Sequence, residues 1–405
     1  MKGLINMEKY KGTKAITLVA LVITIVILLI LAGISISTLT NTGIFQKAKD
    51  AKKASENAEK EQKQTLSEYE KELNKYTAQK LTDDKINKVL SATENTILKD
   101  ANGNIFTLPA GFKIVVNDDT NNAKTVDKGI VIEDATDLAT KGSQFVWVPV
   151  GKIYTDVERT EENTKIITLG RYEFDAETGV ESLYSGDYVE EEANSISSLK
   201  KWGNAIAKNI TNFKDSVEIN AGYYIGRYEA GVIGYDTNNI IESNNNKETN
   251  WTGYINVKGE KLQLVSKANQ QVWNYITQNK AAELSQSMYN SDKFISDLMN
   301  SYAWDTAITF IQKCTDKTNY ANQNRGENAS LLNTGRTNDN PCNIFDMVGN
   351  IVEWTTETSN SSIYPCTRRG GDYNSSRYCT NSRTGDYTFN NYATIGFRPI
   401  LYINN

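Results

Sequence analysis

"DMVGNIVEWT" (Asp346–Thr355) is followed by "RRGGDY" (Arg368–Tyr373) and then by "IGFRP" (Ile395–Pro399). All three stretches set a charged side chain among apolar residues and glycines, a combination that costs stability unless the charge is paired. Arg369 and Arg398 are therefore predicted to make bidentate pairs with carboxylates such as Asp346 or Glu353. Trp354 is predicted to anchor a core, because its large ring offsets the ordering cost of a loop-rich chain. Gly349, Gly370, Gly371 and Gly396 suit positive φ or a close backbone approach. The first reading of these motifs is structural.

Working outward, "FVWVPVGKIY" (Phe145–Tyr154) and "AGYYIGRYEAGV" (Ala221–Val232) alternate apolar residues as strands do, with Trp147 as a second core anchor. Residues 103–136 read as short strands separated by Gly, Pro and Asn-Asp turns. Between Lys261 and Cys314 the period lengthens, and "NQQVWNYITQ" (269–278) and "MNSYAWDTAITFIQK" (299–313) read as helices carrying Trp273 and Trp304. The Asn-rich run 236–250 reads as a surface loop, and residues 155–215 as a polar insertion. Strands, then helices, then strands imply an α+β class.

Taken in order, "FVWVPVG", "YYIGRYE", "SYAWDTAITF", "NIFDMVGNIVEWT", "RRGGDY" and "IGFRP" resemble the formylglycine-generating, sulfatase-modifying enzyme domain. That resemblance runs from about Gly142 to the C-terminus and implies a C-type lectin-like fold. It also implies that Asn350 and Glu353 are ligands of a structural Ca²⁺. Hard oxygens near a glycine turn suit that ion, and equally suit ordinary hydrogen bonds. The copper oxidases of the family use two cysteines between the "RGG" and "GFR" elements. Here Cys379 lies in that window, but Thr384 stands five residues on, so a bis-thiolate copper site is not expected. Cys366 and Cys379 could pair as a staple instead.

The 405-residue chain contains no histidine. The usual neutral-pH general base, the Ser-His and Cys-His pairs and histidine-ligated iron are thereby removed. A net charge of −5 argues against nucleic acid as a partner. The four cysteines, Cys314, Cys342, Cys366 and Cys379, form no C-x-x-C pair; two disulfides and buried free thiols both remain open. A non-catalytic protein is the expectation.

At the other end, Lys2, Lys9, Lys11 and Lys14 precede an uncharged apolar run, residues 15–36. As a helix that run would span roughly 33 Å, enough for a bilayer core. Flanking positive charge predicts a single-pass cell-membrane anchor with the C-terminal head extracellular, on a bacterial surface. The segment from Lys14 to Val19 also resembles a type IV prepilin N-terminus, which implies processing between Ala15 and Ile16. Ala20 stands where pilins usually carry a glutamate, which argues against polymerisation. The expected organisation is a basic leader (1–14), a membrane helix (15–36), a helical stalk (37–80), a β-rich connecting region (81–141) and a lectin-like head (142–405).

From Thr358 onward there is no Lys, Glu, Gln, Met or Trp. The stretch is rich in Tyr, Asn, Ser, Thr, Asp and Gly, a composition like that of an antibody paratope. Tyr373, Asn374, Tyr378, Asn381, Asp386, Tyr387, Phe389, Asn390, Asn391 and Tyr392 are the candidate ligand-binding residues. The stretch also resembles the variable region of diversity-generating retroelement proteins, which varies by mutation of template adenines. From an AAC codon, changes at the first two bases reach Asn, Tyr, Ser, Thr, Asp, Gly and Cys, but none of the five missing residues. A display protein that binds an unknown surface ligand, protein or glycan, is the expected function; a pilin-like subunit with a decorated head is the alternative.

Overall fold

The structure, a computed structural model, describes residues 44–190, 203–207, 209–233, 262–325 and 329–404. The chain divides after Tyr69. Helix α1, Ile44–Thr77, is rich in Ala, Lys, Glu and Gln, which are strong helix formers, and has no Pro or Gly. Leu66, Tyr69, Leu73 and Tyr76, the apolar stripe of its second half, are all exposed.

One expectation is corrected. Among the described residues no helix is long and apolar enough to cross a membrane, against the expected single-pass cell-membrane location. Residues 15–36 and the Ala15–Ile16 processing site lie outside the described residues.

Ten strands form the two larger sheets: β1 (Phe112–Val115), β2 (Val131–Asp134), β3 (Gln144–Pro149), β4 (Gly222–Gly226), β5 (Phe294–Leu298), β6 (Val352–Thr358), β7 (Cys366–Arg369), β8 (Arg383–Asp386), β9 (Ile395–Phe397) and β10 (Pro399–Ile403). The first sheet is antiparallel throughout, in the order β5-β10-β4-β3-β2-β1. In its centre Tyr224 lies opposite Trp147 on one side and Leu401 on the other. β1 and β2 come from the region 81–141, expected to be a connector, and extend the same sheet as β3, while Thr96–Lys99 and Ile105–Leu108 of that region pair in a separate small sheet.

Both faces of this sheet are covered, which explains its near-continuous apolar strands. Phe145, Trp147, Tyr224 and Leu401 enter one core, while Val146, Val148, Tyr223, Ile225, Ile400 and Tyr402 enter the other. That split is the two-residue alternation of a strand. The second core is closed by helices α2 (Ile210–Asn220) and α4 (Ser301–Cys314), through Phe213, Val217, Trp304, Ile308 and Ile311. The first core is closed by α3 (Gln278–Gln286) and by the second sheet, through Ala281, Val352, Trp354 and Phe397.

The second sheet runs β8-β7-β6-β9, with β6 and β9 parallel. "IGFRP" is the point where the chain leaves β9 for β10 and so passes from one sheet to the other. Trp147, Trp273, Trp304 and Trp354 are all fully buried, as core anchors should be. α4 fulfils the helical reading of 299–313. Residues 269–278 do not form a helix. Gln271–Val272 is a short strand, and Asn269 and Tyr275 adopt positive φ, which interrupts any helical run.

Candidate ligand-binding surface

Arg398 meets Glu353 as the sequence predicts. Its Nε lies 3.2 and 3.1 Å from the two carboxylate oxygens, and its Nη2 lies 2.6 Å from Oε1. The same guanidinium donates to the carbonyls of Gly226 and Phe345, so it ties β4 and the "DMVGN" turn to β6. Arg369 makes a different pair from the one expected. It reaches Asp305 of α4 at 2.5 Å, with Glu357 of β6 at 3.6 Å.

Arg383 of β8 and Arg171 join that buried cluster, Arg383 contacting Asp305 at 2.7 Å and Glu357 at 2.8 Å, and Arg171 contacting Glu357 at 2.5 Å. Burial lowers the Arg383 pKa, but Asp305 and Glu357 more than offset it and leave it raised. Beside the cluster, burial and then the charge of Glu357 push Glu190 up to about 7. Glu190 accepts from the Ser301 backbone N–H at the start of α4 and from the Thr356 hydroxyl. This ionic floor fixes β7 and β8 onto the core.

The "RRGG" turn needs its glycines. Gly370 has φ of +77°, and a Cβ on Gly371 would meet the Val348 carbonyl oxygen at 2.6 Å. β7 then pairs with β8, with Cys366 opposite Asp386 and Arg369 opposite Arg383.

The ten candidate residues separate into two groups on this frame. Asp386 and Asn390 are buried and bond to each other, with Arg368 Nε 3.1 Å from Asp386. Asn381 is also tied inward, through its backbone N–H to Ala321 and its amide to Asn322. These three shape the loops. Tyr387, Phe389 and Tyr392 face outward: Phe389 is 67% exposed and Tyr392 50%. Tyr387 stacks on Phe389 with centroids 4.8 Å apart, and it meets Tyr364 edge-on at 4.6 Å. The Tyr387 and Tyr364 hydroxyls lie 3.1 Å apart. Asn374 is exposed, while Tyr373, Tyr378 and Asn391 are half-buried. Arg368 links the two halves of the stretch, because its guanidinium also lies 5.5 Å from the Tyr378 ring centroid.

Sequence reasoning missed Tyr364, which lies within the compositionally shifted stretch but ahead of "RRGG", and which meets Tyr387 only in the folded chain. It missed Asp305 and Glu357 as well. A lone Asp inside the apolar helix "SYAWDTAITF" was the available signal for the first.

The oxygens expected to bind calcium are engaged by cations and amides. Asn350 Oδ1 accepts from Arg325 Nη1 at 2.9 Å and from Leu332 N–H at 3.0 Å, and both Glu353 oxygens face Arg398. A guanidinium stands at each ligand, so this donor set does not fit Ca²⁺ as arranged. Among the described residues no group of three or more His, Cys, Asp or Glu could hold a metal ion. All four cysteines are free thiols, which corrects the disulfide reading. Cys366 Sγ faces Gln278 at 3.4 Å, whereas Cys379 Sγ faces Asn381 at 2.9 Å, so the expected pair points at different partners.

Residues 277–403 match the model of the sulfatase-modifying factor enzyme 1-like domain. No curated protein matches the chain. Among solved structures, Treponema denticola variable protein 1 is 17% identical, over 44% of this chain and 84% of that one, with a TM-score of 0.26. The family match falls in the C-terminal region of the chain, residues 277–403, which is similar to the sulfatase-modifying factor enzyme 1-like domain.

Proposed function

We propose that this domain is a non-catalytic binding module whose ligand docks on the outward aromatic face formed by Tyr364, Tyr387, Phe389 and Tyr392. The observation that carries the proposal is the mutual packing of Tyr364, Tyr387 and Phe389 at a surface where Phe389 stays two-thirds exposed. Aromatic rings that are already stacked lose little side-chain entropy on binding, and Tyr and Trp dominate binding hot spots. The absence of histidine, and of a second cysteine between "RGG" and "GFR", supports the non-catalytic half of the reading.

The test is a screen of the full chain against a glycan array and a displayed peptide library, run beside the Tyr387→Ala/Tyr392→Ala double variant. Ligands that bind the wild type should lose at least about tenfold in affinity, the scale of one hot-spot contact. The variant's melting temperature should be unchanged. Ligands that bind both proteins equally would move the site elsewhere. Formation of an aldehyde from a cysteine-containing peptide in the presence of copper would overturn the non-catalytic reading.

A further inference from the structure

Away from the aromatic face, a concave basin of about 390 Å³ is lined by Lys317, Gln323, Arg325, Arg336, Asp339 and Gly349, among others. Among the described residues three cations face one carboxylate, whose Oδ2 takes its two hydrogen bonds and whose Oδ1 faces Lys317 alone. Asp339 accepts from the Tyr320 hydroxyl at 2.6 Å and from Val348 N–H at 3.1 Å, with Lys317 Nζ at 3.5 Å.

Arg325 is held by neutral acceptors. Its Nη1 donates to Asn350 Oδ1 at 2.9 Å and to the Gly349 carbonyl at 3.4 Å, and its Nη2 to the Ser330 carbonyl at 3.4 Å. These contacts orient the guanidinium without neutralising it. The turn carrying Arg336 is pinned on both sides by the buried Asp346 carboxylate, through Gly335 N–H and the Thr337 hydroxyl. The opposite wall backs onto the C-terminal stretch, because Gln323 and Ala321 accept from the Thr380 and Asn381 backbone N–H groups. Once Lys317 is set against Asp339, two guanidinium charges remain over one cavity among the described residues.

We propose that this basin binds a doubly charged phosphate group, free or as a monoester on a larger molecule. Planar guanidinium groups match phosphate oxygens in bidentate geometry. The volume falls within the usual range for small-molecule sites and leaves room beyond a bare ion. The site stands independently of the aromatic face, and its failure would leave that reading untouched.

The experiment is calorimetric titration of the full chain at low ionic strength, with inorganic phosphate in one arm and glycerol phosphate in the other. Sodium nitrate serves as the ionic control. Saturable phosphate binding is expected, weakened roughly tenfold by R336Q and by R325Q, the loss expected for one charge-assisted hydrogen bond. R336K should recover part of that loss. Arg336 is exposed, so R336Q should melt with the wild type and its binding remain readable. Tighter binding of glycerol phosphate assigns a monoester, and equal binding assigns the free ion. No saturable heat with either anion, or wild-type affinity in both R336Q and R325Q, overturns the proposal.

Discussion

Arg398 is fully buried and faces both oxygens of Glu353, so removal of either partner strands a charge in the core. Glu353→Gln is expected to lower unfolding free energy by about 3 kcal/mol, the scale for breaking one side of a buried pair. A urea midpoint equal to the wild type would show that the buried carboxyls of Glu229 and Asp346, whose charges also act on Arg398, take over the guanidinium. Glu190 adds a dependence on pH. Its pKa rises from the ordinary 4.5 to about 7, through burial first and then the charge of Glu357. The folded state therefore holds the Glu190 proton more tightly than the unfolded chain does. Its stabilising effect is complete below about pH 4.5, declines as the pH climbs towards about 7, and is gone above that. The change is on the order of 2–4 kcal/mol. Asp346, pushed up to about 6 chiefly by burial, acts in the same direction, so the Glu190 share must be read by difference. Urea titrations at about pH 5 and about pH 8 should show a smaller loss in Glu190→Gln than in the wild type. Equal losses would remove Glu190 from the account.

At the scale of elements, α4 shows why some of the fold was legible. Asn300 precedes it, and its side chain accepts from the Ala303 N–H at 2.9 Å, satisfying one of the unpaired donors of the first turn. Asn300→Ala should cost about 1 kcal/mol, read as a shift in urea midpoint with an unchanged slope. An unchanged midpoint would mean that Glu190 on the Ser301 N–H is sufficient to cap the turn. Local cues of this kind carried the reading of α4, of β3 and β4, and of the Arg398–Glu353 pair. They misled at 269–278, where Val272, Trp273 and Ile276 mimic a helical stripe that the positive φ values of Asn269 and Tyr275 forbid. They were silent on Arg369, whose partners lie on α4 and β6, and on the placement of β1 and β2 in the central sheet. Partners of that kind are set by tertiary pairing, which leaves no spacing in the sequence. For the same reason Tyr387, Phe389 and Tyr392 were legible by composition, while the place of Tyr364 on the same face, from the loop before β7, was not.

At the scale of the whole molecule, a sheet buried on both faces and a second sheet with a floor of paired charges carry a surface stretch that need not hold the core together. Asp386, Asn390 and Asn381 are exceptions within that stretch, because their bonds are internal. If template-adenine mutation diversifies the chain, tolerated changes should collect at the outward positions Tyr373, Asn374, Tyr378, Tyr387, Phe389, Asn391 and Tyr392. Asp386 and Asn390 should be nearly constant, since loss of either leaves a buried polar partner unsatisfied at a cost of about 1–3 kcal/mol. "GFRP" should not vary, because Arg398 joins the two sheets. Deep sequencing of the last 150 or so bases of the gene in a natural population of source cells makes this measurable, given that binding diversity must be built on a constant scaffold. Variation spread evenly over buried and outward positions would contradict the division drawn here. A single invariant sequence would mean that the aromatic face is fixed for one ligand, and Tyr387 and Tyr392 would then be the residues to substitute first.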